Sequence, residues 1–200
     1  MIKWLSRLQY ATYGLLVLFL SNCQTPEREY KRLEKKELAK EQRQDSLFLG
    51  IHFGMSNQEF RDYCYAMNLN GIFKQGGLKN LIWVECKLPN QLDYPGAINF
   101  YPEFTHDTIT GMNAAIYYED ATFRDGVFES DSLLLDVLEL ANDWYGGKYF
   151  KIKSPFFYKD DVYVKINANR RITIYPDLSG QIINLWYKDL KPRVKPEIDS

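Results

Sequence analysis

With only two histidines in 200 residues, the chain has little to offer acid–base chemistry. His52 precedes a helix start and His106 stands beside Asp107 in a loop, and neither sits in a spacing that holds a base against a nucleophilic Ser or Cys. His106, Asp107 and Glu103 could together hold a metal, but polar residues at a loop tip read more simply as solvent-facing. Gly-rich phosphate loops, zinc-ligand spacings and calcium loops are missing, so no cofactor or metal is expected. A basic excess is missing as well. With 25 basic against 26 acidic residues, the chain lacks the positive face that phosphate neutralisation requires, which excludes a nucleic-acid partner. There is no apolar run of the roughly 20 residues that a helix needs to cross a bilayer; the longest, Tyr10 to Leu20, is too short.

That short run has an address-like context. Lys3 and Arg7 precede it and no acid occurs before Cys23, the order of a secretory signal over residues 1–22. The junction Leu20-Ser21-Asn22-Cys23 resembles the lipobox of bacterial lipoproteins, which implies cleavage before Cys23 and acylation of that residue. The resemblance further implies a diderm envelope, and because Gln24 stands where an inner-membrane retention Asp would be, an outer-membrane lipoprotein facing the periplasm. Two or more acyl chains give a stable anchor where one does not. Loss of Lys3 and Arg7 leaves 23 basic against 26 acidic residues, a net charge of −3. Residues 23–46 are almost wholly polar. Tyr30, Leu33 and Leu38 are the large apolar exceptions from Glu27 to Gln44, too few for burial, so the segment reads as a charged tether, reaching about 27 Å if helical.

The body, residues 47–190, is organised by a pattern that occurs twice. Ile98-Asn99-Phe100-Tyr101-Pro102-Glu103 leads through a loop to Ile109-Thr110-Gly111 and Ile116-Tyr117-Tyr118, while Ile172-Thr173-Ile174-Tyr175-Pro176-Asp177 leads to Ser179-Gly180 and Leu185-Trp186-Tyr187. Alternating apolar strands broken by turn residues predict a hairpin in each. The first copy carries extra residues, Phe104 to Thr108, in its loop. Ahead of the first hairpin, Ser56 and Glu59 form a capping box for a helix with Phe60, Tyr63, Cys64 and Met67 on one face. Ahead of the second, Asp131 caps a helix with Leu134, Val137, Leu138, Ala141 and Tyr145 on its apolar face, stopped by Gly146-Gly147. The fold class expected is α+β: a tandem repeat of one helix plus a four-stranded antiparallel meander, about 47–120 and 128–189, with the helices on one side of the sheet and a flexible tail at 191–200. Gly54-Met55-Ser56 with Glu59-Phe60, the stop at Gly71 and the repeat together resemble the β-lactamase-inhibitor-protein-like fold of small outer-membrane lipoproteins of the SmpA/OmlA type.

Aromatic residues make up 16% of the chain, with fifteen tyrosines, which fits a sheet-rich core or an adhesive surface. Tyr117-Tyr118 and Trp186-Tyr187 are neighbours on strands, so one member of each pair points away from the core. With Tyr149 and Tyr158, from the aromatic-dense stretch Trp144 to Tyr158, they make a candidate surface for an envelope protein partner. A non-catalytic binding or assembly module is the function expected; a hydrolase using the His106 loop and an inhibitor-like decoy are the alternatives. Aligning the two copies sets Cys64 against Leu138 and Ile82-x-Val84-x-Cys86 beside Val162-x-Val164-x-Ile166. Both cysteines then face inward, and a Cys64–Cys86 disulfide is expected in an oxidising compartment. Oligomeric state is not legible.

Overall fold

The computed structural model describes residues 25–76, 82–119, 130–153 and 161–193. It contains three helices, α1 (Pro26–Leu38), α2 (Asn57–Leu69) and α3 (Ser130–Tyr145), and eight strands. The strands are β1 (Phe73–Gln75), β2 (Val84–Lys87), β3 (Gly96–Thr105), β4 (Thr108–Tyr118), β5 (Phe150–Lys153), β6 (Asp161–Asn167), β7 (Arg170–Pro176) and β8 (Ile183–Asp189). All pair antiparallel in one sheet of order β1-β2-β3-β4-β8-β7-β6-β5, so the α+β class expected from the sequence is what forms.

Local chemistry explains the boundaries. Ser56 Oγ accepts from the Glu59 N–H at 3.2 Å while the Ser56 N–H donates to Glu59 Oε2 at 2.7 Å, the reciprocal box that starts α2. Of the residues read as an extra loop after β3, Phe104, Thr105 and Thr108 are instead strand: β3 runs on to Thr105 past an irregularity at Glu103/Phe104, and β4 begins at Thr108. His106 and Asp107 close this hairpin at φ 48° and 61°, the paired positive values of a type I′ turn, whose twist matches that of the flanking strands.

Directly paired residues point to the same face, so register sorts the side chains. Phe100, Ala114, Leu185 and Ile174 form one cross-sheet row, and Ile98, Ile116 and Ile183 the next. These rows lie under α2 and α3 in a single core cluster. Leu133, Val137, Leu140 and Ala141 are the buried residues of α3, so its inward face is rotated slightly from the one the sequence predicts. The segment between α1 and α2 completes this layer with Leu47, Phe48, Ile51, Phe53 and Met55, all buried.

The helices do not all occupy one side. Helix α1 packs against β5 and β6 on the opposite face, where Tyr30 and Leu33 meet Phe150, Val162, Val164 and Ile166 in a second cluster. This corrects, for the described part from Thr25 on, the reading of residues 23–46 as a charged tether. Few apolar residues suffice because Tyr30 is large and sits edge-on to Phe150, ring centroids 6.1 Å apart. Polar contacts supply the rest: Glu37 Oε2 accepts from the Ala168 N–H at 2.8 Å, and Asn169 Oδ1 accepts from the Gln44 N–H at 2.7 Å, so the β6–β7 turn is held by the end of α1 and the residues after it. Burial pushes the Glu37 carboxyl up, but the Ala168 N–H and the Lys40 ammonium outweigh it and leave the group below its ordinary value.

Cys64 and Cys86 are free thiols, which corrects the expected disulfide. The alignment behind that expectation slips by one residue. Cys86 pairs with Ile98 on β3, whereas on β7 the matching position, Ile172, pairs with Lys165 and not with Ile166. A one-residue slip reverses every side chain. Val162, Val164 and Ile166 therefore face α1 on the second layer and say nothing about what lies opposite Cys86.

Candidate functional site

The face of the sheet away from α2 and α3 carries the outward members of both aromatic pairs. Tyr118 and Tyr187 are buried inward, Tyr118 donating to Asp136 of α3 at 2.6 Å and Tyr187 accepting from Tyr145 at 3.1 Å. Tyr117 and Trp186 point outward and are half-buried, as alternation requires. Each is held by a carboxylate. Tyr117 Oη donates to Glu85 Oε2 at 2.7 Å, and Trp186 Nε1 donates to Glu103 Oε1 at 3.1 Å. Burial and the Glu85 carboxylate both raise the Tyr117 phenol, which stays a proton donor at any ordinary pH.

Glycine makes the second of these contacts possible. Glu103 of β3 is paired with Gly111 of β4, and a Cβ at Gly111 would stand 2.5 Å from Glu103 Oε2. Without a side chain there, the Glu103 carboxylate crosses β4, accepts from Asn113 Nδ2 at 2.7 Å and reaches the indole of β8. Arg171 and Lys188, opposed on β7 and β8, both stand over the Trp186 ring, 5.4 and 5.3 Å from its centroid. On the other side of the same row Trp83 and Tyr101 lie with ring centroids 6.3 Å apart, Tyr101 37% exposed.

Round the sheet edge this surface meets a cleft of about 810 Å³ between α2 and β1–β3, with Phe60, Cys64 and Tyr65 on the helix side and Phe73, Trp83 and Tyr101 on the sheet side. Burial pushes the Cys64 thiol up to about 12, so it is protonated and unreactive at neutral pH.

The remaining candidates are dispersed. Tyr149 lies under the end of α3, over Lys165, and is not part of the outward face. Cys23 and Tyr158 lie outside the described residues. His106 and Asp107 are exposed at the β3–β4 turn, and among the described residues no group of three His, Cys, Asp or Glu is arranged to hold a metal. No described helix is long and apolar enough to cross a membrane.

Sequence reading missed a set of buried cations on the α3 side. Lys165 and Arg170 are 3% and 4% exposed, and among the described residues neither forms an ion pair. Burial, then the Arg170 charge, brings the Lys165 amine down to about 8, while burial raises Tyr145, Tyr149 and Tyr187. Folded Lys165 releases its proton from about pH 8, whereas the unfolded chain keeps it to about 10.4; the unfolded state binds more protons in that window and stability rises with pH. The cysteine thiols, raised from 9.0, act oppositely, since the unfolded chain loses those protons first, and the raised tyrosines join them from about 10. Urea unfolding in chloride buffer is thus expected to show stability climbing between about pH 8 and 9, at most about 1.4 kcal/mol per pH unit, and falling above about 10. In Lys165→Met the climb disappears; a variant that keeps it would assign the effect to another group.

No protein-family model, curated protein or solved structure matches the chain.

Proposed function

We propose that this protein is an envelope lipoprotein, anchored through Cys23 and facing the periplasm, that acts by binding an envelope protein on the outward face around Tyr117 and Trp186. The observation that carries this reading is the clamping of both rings by carboxylates, Glu85 and Glu103, on a face where α1 packs mainly toward β5 and β6. Rings fixed before contact lose little conformational freedom on binding, which is what distinguishes an anchor residue from a merely exposed one. Trp83 and Tyr101 extend the surface toward the cleft and give a partner a second aromatic contact. The two stretches of helix plus four strands, meeting at β4 and β8, are read as copies of one unit, in keeping with the doubled Tyr-Pro hairpin and with the lipoprotein-type fold that the sequence resembles.

Two experiments test this. In capture from detergent-solubilised membranes, a Tyr117→Ser/Trp186→Ser variant is expected to bind its partner at least about thirtyfold more weakly, since the loss of even one hot spot costs about 2 kcal/mol. A folded variant that keeps every partner would remove this face from consideration, and a turnover abolished by His106→Ala would establish the hydrolase reading instead. For the anchor, intact mass and fractionation of Cys23→Ala are compared with wild type: the variant is expected to leave the membrane fraction and to lack the mass of the acyl chains.

A further inference from the structure

Beneath the C-terminal end of α3, three polar side-chain atoms are buried without a hydrogen-bond partner among the described residues: Lys165 Nζ, Arg170 Nε and Tyr149 Oη. They share one neighbourhood. Lys165 Nζ stands 5.0 Å from the centroid of Tyr149, and the Arg170 guanidinium 4.5 Å from that of Tyr145 and close enough to raise the cost of charging Lys165. Arg170 is otherwise fixed, since its Nη1 donates to the Ser46 carbonyl.

Two buried cations that repel each other, together with an idle phenol hydroxyl, form a group in which every member can donate a hydrogen bond and none carries a negative charge. A buried ion without a counter-charge costs several kcal/mol, and aromatic faces return just part of that. An anion accepting from all three would satisfy them together. The turn above them offers a way in: Gly146 and Gly147 are exposed, and a Cβ at Gly147 would stand 3.2 Å from Lys165 Nζ. No side chain of Gly147 stands over the amine.

We propose that Lys165, Arg170 and Tyr149 form a binding site for one small oxyanion, a carboxylate or a phosphate group, entered past the Gly146–Gly147 turn. The site is on the α3 side of the sheet, away from Tyr117 and Trp186, so it stands independently of the partner surface.

The test uses the full chain, with thermal unfolding followed at constant ionic strength while chloride is replaced by acetate in one arm and by inorganic phosphate in another. At saturation in at least one arm the midpoint is expected to rise by about 5 °C, in line with a ligand present at many times its Kd. A rise with acetate alone identifies a carboxylate site, and a rise with phosphate alone a phosphate site. Lys165→Met is expected to abolish the rise. Tyr149→Phe keeps the ring and removes only the hydroxyl, and is expected to weaken binding about tenfold, one charge-assisted hydrogen bond; it decides the question even if Lys165→Met does not fold. Midpoints that stay at the chloride value in both arms, or a rise undiminished in Lys165→Met and Tyr149→Phe, would overturn the proposal.

Discussion

Replacing Phe48 with Ala is expected to lower the free energy of unfolding by about 3 to 5 kcal/mol, the range for deleting a large aromatic from a core that cannot close over the gap. The ring meets Phe100 of β3 at 5.2 Å, Tyr187 of β8 at 5.3 Å and Trp144 of α3 at 6.0 Å between centroids, so one side chain joins two strands and a helix. At 5% exposure, it has little contact with water to fall back on. Phe48→Leu keeps most of the volume and is expected to cost about 1 to 1.5 kcal/mol. Urea unfolding of both variants gives the comparison. If Phe48→Ala cost under about 1 kcal/mol, the segment between α1 and α2 would be shown to repack freely, and its place in the core would have to be abandoned.

Asp189→Ala is expected to cost about 3 kcal/mol for a different reason, because it strands donors instead of opening a cavity. The carboxylate is 4% exposed and accepts from Arg43 Nη2 at 2.6 Å, Asn169 Nδ2 at 3.0 Å and the Lys191 N–H at 2.9 Å. Arg43 and Asn169 also reach Asp45, so these side chains tie the stretch after α1 to the β6–β7 turn and to the end of β8. Backbone amides of α1 are expected to exchange faster in the variant as well. A double-mutant cycle with Arg43→Ala separates the pair from its surroundings: a coupling near zero would show that Asp189 acts through the turn alone.

Features decided within a few residues were legible in the sequence. The Ser56–Glu59 box, the end of β7 at Tyr175-Pro176 and the division of Tyr117-Tyr118 and Trp186-Tyr187 between two faces all follow from local spacing, whereas β3 runs on past Tyr101-Pro102 to Thr105. The docking of α1 was not, because Tyr30 and Leu33 look isolated until β5 and β6 present Phe150, Val162 and Val164 on the face away from the main core. The cation site was hidden by the same circumstance. Val162, Val164 and Ile166 look like the inward side of β6, which makes Lys165 look solvent-facing; with both faces of that strand covered, the alternation no longer separates inside from outside. Of the outward site, the aromatic rings could be named but not their partners, since Glu103 reaches Trp186 only because Gly111 lies between them in a register set by tertiary pairing.

The antiparallel contact of β4 with β8 has a kinetic consequence. Hairpins join β3 to β4 and β7 to β8 across short turns, but Gly111 pairs with Lys188 and Ile116 with Ile183, residues 67 to 77 positions apart in the chain. Closing a loop of that length carries an entropic cost that a hairpin avoids, and the cost must be met before the new ladder returns any stability. The seam thus raises the contact order of a chain whose strand pairs are otherwise near neighbours, and it is expected to set the slow step of folding: in stopped-flow refolding, mutations along β4 and β8 that weaken the seam are expected to retard the folding rate, while those in β1 or β5, at the ends of the sheet, chiefly hasten unfolding.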